Sequence, residues 1–426
     1  MNTHTRNLKP LAYAILSLVS LPTWAAANPE IEQLQREVNE LKQLIQQMNV
    51  QQQQQAISLT QLPAPVQSTA TIEKLKTTLP MTKSGVDVQL YGNVRLDALY
   101  QIEGGNASRL YNQINTVPLK GDPSSPDQFK SSLAATRLGL DFNTKTTKGD
   151  IAGKIEVDFL GANDTLRLRH AYLTYQNWLI GQTWSNFAVP DYMPESIDAL
   201  GYVGGAIKRN PQIRYSQKFN PATNIVWALE DPKDDNSKSR FPALSARFNH
   251  QFNDDLKMSA RAMVNEKKTA EDHETAWGVG LGMKYDLFEN TSIKADYYHV
   301  KGDSSFIPWT NKGFLVNAQD EIIATNKFDS ITVGITQKIK PNLRTTIGYG
   351  YMRSPDNQQY IDALADPTTA NKSLWQVWAN IFYNPVKPIS YGVEYVYGER
   401  TAFKDNTHGH DKGVDNRFNF VVMYDF

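Results

Sequence analysis

The stretch Phe418-Asn419-Phe420-Val421-Val422-Met423-Tyr424-Asp425-Phe426 decides the fold class of this chain. In a β-strand, successive side chains leave opposite faces, so residues at every second position share one face. One face of this strand is apolar and mostly aromatic: Phe418, Phe420, Val422, Tyr424 and Phe426. The other face carries Asn419 and Asp425. This pattern is typical of a strand that meets lipid, with aromatic side chains at the membrane interface. A buried edge strand of a soluble β domain is the alternative interpretation.

The start of the sequence predicts export. Arg6 and Lys9 are followed by an apolar run over 11–21 and by small residues at 25–27, which is typical of a secretory signal peptide covering residues 1–27. The apolar run is too short to cross a bilayer as a helix. No later stretch reaches 18 apolar residues, so we expect no helical membrane span.

The composition excludes several classes of site. The chain has no cysteine, which excludes a disulfide framework, a thiolate metal site and a cysteine nucleophile. Lys plus Arg and Asp plus Glu both number 44, and we expect no nucleic-acid partner. The mean hydropathy of −0.48 is compatible with strands that alternate lipid-facing and water-facing residues.

Residues 28–50 predict a short periplasmic coiled coil. Asn28-Pro29-Glu30 is typical of a helix start. Apolar residues then follow a heptad pattern: Ile31, Leu34, Val38, Leu41, Ile45 and Met48. Isolated peptides of this pattern favour dimers, whereas a porin-like body would impose a trimer; an amphipathic helix docked on another surface is the alternative. Residues 51–85, with glutamines at 51–55 and prolines at 63 and 65, predict a flexible linker.

From residue 86 onward, apolar and polar residues alternate persistently in roughly 16 runs, an even number within the range of outer-membrane barrels. Short turns rich in Asn, Pro and Asp lie at 176–177, 220–222, 253–255, 340–342 and 384–388. Longer polar segments alternate with them at 101–130, 185–210, 231–240, 266–274, 302–326, 353–372 and 399–415, with a weak loop at 161–165. Short periplasmic turns and long outward loops are how such barrels are built. The sequence therefore predicts an all-β fold, a 16-stranded antiparallel transmembrane β-barrel over residues 86–426, preceded by a short N-terminal coiled-coil helix.

Arginines lie opposite the apolar residues of the predicted strands. A charged residue on the lipid face at mid-bilayer costs roughly 2–4 kcal/mol, so these arginines should face the lumen. The predicted pore-lining set is Arg95, Arg137, Arg167, Arg169, Arg214, Arg247, Arg261 and Arg344. Acids expected to face inward with them are Asp97, Asp141, Glu156, Asp158, Asp296 and Glu394. Burying so many charges without water would be costly, so we expect a hydrated channel. Mere pairing of these arginines with neighbouring acids is the alternative role.

Two consecutive strands carry a resemblance to a known family. Residues 166–175 read LRLRHAYLTY, and residues 178–187 read WLIGQTWSNF. This motif resembles the DcaP-like porins, which join a signal peptide, a periplasmic coiled coil and a 16-stranded barrel, and the resemblance covers essentially the whole chain. It implies a homotrimer surrounded by outer-membrane lipid in a Gram-negative bacterium, with a periplasmic N-terminal segment. It also implies import of dicarboxylic acids or other small anions.

The third outward loop, residues 185–210, is predicted to fold into the lumen and narrow it, as in general porins. The candidate constriction residues are Asp191, Tyr192, Glu195, Asp198, Lys208 and Arg209. Guanidinium groups aimed at a narrow gap bind carboxylates through two parallel hydrogen bonds.

Other functions fit the sequence less well. We expect no enzyme, because His170, His250 and His299 are isolated on strands, with His170 and His299 expected on the lipid face near the strand ends. No cofactor or metal is expected either, since the His408-Gly409-His410-Asp411 segment lacks a third group to complete a metal site. The remaining alternatives are a non-selective general diffusion porin and an outer-membrane structural or adhesive barrel.

The predicted inward arginines generate a first test. Replacing Arg95, Arg167 and Arg169 with Gln should shift the channel toward cation selectivity, because uncompensated lumen acids would remain. The reversal potential in a planar bilayer under a salt gradient measures this shift. An unchanged reversal potential would remove these three residues from the site.

Overall fold

The computed structural model describes residues 85–105, 110–234 and 236–426. The predicted signal peptide, the predicted coiled coil and nearly all of the predicted linker lie outside these residues. Within the described ranges, no helix is long and apolar enough to cross a membrane.

The described chain is dominated by β-strands, of which it forms nineteen. They are β1 (Asp87–Glu103), β2 (Gln128–Ser132), β3 (Arg137–Thr144), β4 (Ile151–Asp158), β5 (Arg167–Tyr175), β6 (Trp178–Trp184), β7 (Arg209–Asn220), β8 (Thr223–Glu230), β9 (Ala243–Gln251), β10 (Leu256–Lys268), β11 (His273–Phe288), β12 (Thr291–Lys301), β13 (Phe314–Val316), β14 (Ile322–Thr325), β15 (Lys327–Lys340), β16 (Leu343–Arg353), β17 (Asn371–Tyr383), β18 (Ile389–Ala402) and β19 (Lys412–Asp425). Two 3-10 turns (Ile114–Thr116 and Ala162–Asp164) and one short helix, α1 (Gln358–Asp362), lie between strands.

Seventeen of these strands form one antiparallel sheet that closes on itself. Neighbours pair in chain order from β3 to β12 and from β15 to β19, β12 pairs with β15, and β1 pairs with β19. On its other edge β1 pairs with both β2 and β3, which lie end to end along it. They therefore occupy one position, and the predicted barrel of 16 strands is confirmed. Strands β13 and β14 form a separate hairpin.

Two local features complete the closure. Between β2 and β3, the hydroxyl of Thr136 accepts a hydrogen bond from the amide of Arg95 at 3.0 Å and donates one to its carbonyl at 3.3 Å, in place of ladder bonds. Phe426 extends the pairing of β19 with β1, because its amide donates to the carbonyl of Gly92 at 3.0 Å and its carbonyl accepts from the Gly92 amide at 3.1 Å. β19, which contains the aromatic stretch at the end of the sequence, therefore closes the barrel by pairing with β1.

The two faces of the sheet differ as predicted. The outer face exposes apolar side chains on nearly every strand of the barrel, including Leu90, Val94 and Leu96 of β1 and Phe418, Phe420, Val422 and Tyr424 of β19. The inner face carries buried polar and charged side chains, among them Asp97, Glu156, Asp158, Arg261, Asp296, Glu394 and Arg417. Since the middle of the outer face must meet lipid, the buried charged side chains lie on the lumen side.

The connections follow the predicted alternation. Short turns such as 176–177, 221–222 and 341–342 join strands at one end, and longer segments join them at the other. The weak loop predicted at 161–165 is present as the short connection 159–166, which contains the 3-10 turn Ala162–Asp164.

The third loop, residues 185–208 between β6 and β7, lies inside the barrel. The ring of Phe187 packs edge-on against Tyr298 of β12 at 5.4 Å, and Tyr202 packs against Trp378 of β17 at 4.7 Å. Ile197 lies in an apolar cluster with Phe382 of β17 and Val421 of β19. Only a segment in the lumen can reach strands that lie so far apart around a closed sheet.

The loop approaches one wall so closely that glycine is required there. A Cβ atom on Gly350 of β16 would lie 1.7 Å from the carbonyl oxygen of Val203 in the third loop. We expect Gly350→Ala to displace the loop at a cost of about 1–3 kcal/mol in stability, in line with other overpacked sites. A lower melting temperature together with a changed single-channel conductance would establish the displacement.

Gly280→Ala in β11 is the matched control, because its added Cβ would come no nearer than 3.0 Å, to the ring of Tyr298. If Gly350→Ala behaves like this control, the loop does not rest against β16.

Candidate functional site

A buried carboxylate anchors the third loop to the wall. Glu394 of β18 accepts hydrogen bonds from the amide of Ile197 at 2.9 Å, from Asn380 at 3.0 Å and from Asn419 at 3.1 Å, and a short one from the hydroxyl of Tyr202. Four neutral donors therefore satisfy the charge of this acid, as buried carboxylates require. Two of the donors belong to the loop, so the Glu394 carboxylate ties the loop to three strands.

A second anchor uses Asp198, which was predicted to line the constriction. Its carboxylate is instead buried against β19, where it accepts from Arg417 at 3.2 Å and from the amides of Asn112 and Leu200 at 2.8 Å. Burial raises the pKa of Asp198 to about 6, although the positive charge of Arg417 opposes the rise. Asp198 holds the loop in place and does not face the open lumen.

Six of the eight predicted pore-lining arginines lie beside a carboxylate. The pairs are Arg95–Asp97 at 2.7 Å, Arg167–Asp158 at 2.7 Å, Arg169–Glu156 at 2.6 Å, Arg247–Asp191 at 3.5 Å, Arg344–Glu195 at 2.8 Å and the short Arg261–Asp296 contact. Arg261 was predicted to line the pore, but its side chain has no exposed area and lies beneath the third loop, near the carbonyl of Phe187 and the ring of Tyr192. Much of the predicted set is thus paired, as the alternative interpretation held.

Two acids of the third loop reach arginines on other strands. Glu195 receives two guanidinium nitrogens of Arg344, at 2.8 and 2.9 Å. Asp191 lies 3.5 Å from Arg247, and 61% of its side chain is exposed. The first contact is a firm bidentate pair, whereas the second is long and open to water. Arg247 is therefore less firmly paired than Arg344, although its own side chain is less exposed, 15% against 30%.

Four predicted residues lack a carboxylate partner within 4 Å in the described chain: Arg137, Lys208, Arg209 and Arg214. Arg137 of β3 lies directly opposite Asp158 of β4, but the oxygens of Asp158 are taken by Arg167 and Arg169. The Nε atom of Arg137 is buried without a hydrogen-bond partner. Among the other candidates, Arg214 bonds only to Gln212 and to the carbonyl of Trp184, and Lys208 has no ion pair in the described ranges.

Arg209 belongs to β7 and not to the third loop, because it pairs in register with Trp184 of β6. Its guanidinium lies 4.3 Å from the centre of the Trp184 ring, which in turn lies 5.4 Å from the ring of His170. The charges of Arg137, Arg167 and Arg169 are near enough to repel it. These contacts place the Arg209 guanidinium inside the lumen.

We call Arg137, Arg167, Arg169 and Arg209 the cationic wall. The acids among them are Glu156 and Asp158, so four positive charges and two negative charges leave a net charge of +2. The third loop contacts β8–β12, β15–β19 and β1, which leaves the cationic wall on β3, β5 and β7 facing the open part of the lumen. An anion that passes between them meets uncompensated guanidinium groups.

A β-bulge shapes the cationic wall. Glu156 pairs with His170 and Val157 pairs with Leu168, so Arg169 has no partner on β4. Arg169 and His170 therefore both face inward, and the expectation that His170 faces lipid is wrong, because the inserted residue breaks the period of two. His170 is 6% exposed and shares a hydrogen bond of 2.9 Å with the hydroxyl of Thr183. His299 does lie on the outer face, beside Asp329.

Sequence reasoning missed Arg417, one of the largest fully buried side chains. It lies two residues before Asn419, on the inward face of β19, and alternation alone identifies that position. Its role as the partner of Asp198 required knowledge of the loop path. In the described ranges, no group of three or more His, Asp or Glu side chains could hold a metal ion.

A family model and a solved structure that are similar to this chain belong to the same family. The family model described as DcaP outer membrane protein matches residues 23–426. The crystal structure of the outer membrane channel DcaP of Acinetobacter baumannii is similar, with a TM-score of 0.74 and 38% identity over 81% of this chain and 99% of that one. No curated protein sequence matches this chain.

More distant structures share only the fold. The trimer form of OmpT of Vibrio cholerae has a TM-score of 0.53 at 16% identity, over 80% of this chain and 100% of that one. The anion-selective porin of Comamonas acidovorans has a TM-score of 0.54 at 11% identity, over 80% of this chain and 100% of that one.

The raised pKa of Asp198 predicts a pH dependence of stability. The folded channel holds the Asp198 proton more tightly than an unfolded chain, whose aspartates titrate near 3.9. The stabilisation from protonated Asp198 is therefore complete below about pH 4 and is lost as pH rises through about 6. Asp198→Asn stays neutral at every pH. As pH rises between these values, its melting temperature should therefore increase relative to that of the unsubstituted protein.

Melting temperatures of both proteins, measured at several pH values from about 4 to about 7, check this window. If the difference in melting temperature between the two proteins does not vary with pH, Asp198 does not have a raised pKa in the folded channel.

Proposed function

Because the chain belongs to the DcaP outer membrane protein family, we propose that it is a channel for the passive uptake of small anionic solutes, with dicarboxylic acids as the substrate class. The family and the 16-stranded barrel place it in the outer membrane of a Gram-negative bacterium as a channel of the DcaP type. The selectivity for anions and the substrate class are the proposal.

The observation that carries the proposal is the net charge of the cationic wall. Arg137 and Arg209 have no carboxylate within 4 Å among the described residues, and they lie beside the paired Arg167 and Arg169. Guanidinium groups that remain unpaired in a low-dielectric wall attract anions from the lumen and repel cations.

A second cationic position involves Arg214 of β7. Its guanidinium donates to the carbonyl of Trp184, the register partner of Arg209, so the two positive charges lie on the same part of the wall. Arg214 faces Arg247 of β9, whose contact with Asp191 is long and exposed. A dianion gains about twice the attraction of a monoanion at each position, because Coulomb energy scales with charge. This supports dicarboxylates over monocarboxylates as substrates.

We also propose a homotrimer, which the family resemblance implies and which one fold neighbour, the trimer form of OmpT of Vibrio cholerae, adopts. Light scattering of the purified protein in detergent would measure the mass of the assembly. The predicted coiled coil at 28–50 remains a prediction, and its deletion should leave the barrel folded.

Removing Arg137 and Arg209, the two unpaired arginines of the cationic wall, tests the proposal. A unit charge about 6 Å from the ion path contributes ~0.7 kcal/mol in water, or about threefold in permeability. We therefore expect Arg137→Gln/Arg209→Gln to lower the anion-to-cation permeability ratio by about threefold to tenfold. It should also weaken current blockade by succinate more than blockade by acetate. The reversal potential and the blockade are measured in planar bilayers under a salt gradient.

The matched control is Arg240→Gln/Lys412→Gln, which removes two charges that are exposed at the outer rim and paired with Glu266 and Glu399. This control should leave selectivity unchanged. Cation selectivity of the unsubstituted channel, or no blockade by succinate, would indicate a general diffusion porin. A protein without conductance would indicate a structural or adhesive barrel.

A further inference from the structure

Three basic side chains lie together on the outer face of the barrel, at the loop ends of neighbouring strands. Lys301 ends β12, Lys327 begins β15 and Arg353 ends β16. All three are exposed, whereas the adjacent residues Val300, Phe328 and Met352 are buried on the inner side. We call Lys301, Lys327 and Arg353 the rim patch.

The rim patch brings like charges together. Lys301 lies directly opposite Lys327 in the β12–β15 ladder, so their Cα atoms are about 4.5–5.5 Å apart. Arg353 lies opposite Asp329, which places it diagonally from Lys327, about 7–8 Å away. Like charges directly opposite on a sheet destabilise it. The fold itself therefore gives no reason for this arrangement.

Several other exposed cations near this rim are paired, and Lys312 and Lys404, which have no ion pair among the described residues, lie in loops. The rim patch is set apart because its cations lie opposite each other on paired strands. Arg240 lies 2.5 Å from Glu266, Lys412 lies 3.0 Å from Glu399, and Lys372 lies 3.1 Å from Asp356. Among the described residues, no carboxylate lies within 4 Å of the charged nitrogens of Lys301, Lys327 or Arg353.

Asp329, the carboxylate beside the rim patch, already has other hydrogen-bonding partners. One oxygen of Asp329 accepts a hydrogen bond from the hydroxyl of Tyr297 at 2.6 Å and contacts Nδ1 of His299 at 2.9 Å. Three cations and this acid leave the patch with a net charge of +2 when His299 is neutral.

Aromatic side chains fix the depth of the rim patch. Trp277 lies opposite Lys301 on β11 and packs at 5.4 Å against His299. Tyr349 and Trp375 continue the aromatic band on the strands that follow, at 6.4 Å from each other. Aromatic bands mark the boundary between the hydrocarbon core and the headgroups. Lys301 is level with this band and Arg353 lies on its loop side, which places the rim patch at the depth of the lipid headgroups of the outer leaflet.

We propose that the rim patch binds the phosphate groups of an anionic glycolipid in the outer leaflet. Clustered Lys and Arg side chains at headgroup depth bind anionic headgroups, and a guanidinium offers paired donors to phosphate oxygens. Phosphate would relieve the repulsion between Lys301 and Lys327, which explains why the cations lie opposite each other. This site is independent of the lumen and of the proposed transport function.

Native mass spectrometry of the purified barrel with bisphosphoryl lipid A tests the site. Each cation removed should weaken binding by about fivefold, so Lys301→Gln/Lys327→Gln/Arg353→Gln should lose ~100-fold. Monophosphoryl lipid A should bind the unsubstituted protein more weakly than bisphosphoryl lipid A, because it has one phosphate fewer.

The control Lys338→Gln/Lys340→Gln/Lys387→Gln removes three charges at the short-turn end of the barrel and should bind bisphosphoryl lipid A normally. Heat-modifiable mobility in gel electrophoresis reports whether each variant has folded. If the triple rim variant does not fold, Lys327→Gln alone should still show the fivefold loss. Equal binding by the rim variant and the unsubstituted protein, or equal loss in the control, would overturn the proposal.

Discussion

The structure depends on one constraint: a strand that crosses the membrane must present apolar side chains to lipid at every second position. The remaining positions then receive nearly all the charges of the chain, and the closed sheet confines those charges to the lumen. A lumen with this many ions must hold water or satisfy each charge by pairing and hydrogen bonds. The third loop supplies much of that pairing, since its acids reach Arg247, Arg344 and Arg417.

The third loop therefore acts as the core of one half of the barrel. Phe187, Ile197 and Tyr202 give it apolar contacts with the wall, and the Glu394 carboxylate fixes its backbone through neutral donors. The Arg417–Asp198 contact and the bidentate Arg344–Glu195 pair add charged contacts between the loop and the wall. The third loop fills this half of the lumen. The open half bears the surplus charge.

Alternation predicted the strands and their faces because lipid and water impose a strict period of two along each strand. It predicted the inward side of Arg95, Arg137 and Arg344, and it extends to Arg417, which was overlooked. It failed at His170, where a single inserted residue reverses the register and no sequence signal marks the bulge. It also could not separate Asp198, an anchor, from Asp191, which stays exposed, because that difference depends on the path of the loop.

The proposals for this protein depend on which arginines and lysines have a carboxylate partner and which do not. A paired arginine such as Arg344 is explained by the fold, because its carboxylate partner lies in the third loop. An arginine or lysine that faces like charges and no carboxylate lowers stability, and a chain that keeps it departs locally from the rules that specify the fold. Such departures occur in two places here, on the cationic wall inside the barrel and on the rim patch outside it. Both surfaces lack the same component, an anion that the chain itself does not provide. Under the two proposals, the lumen would supply that anion from solution and the membrane would supply it at the rim.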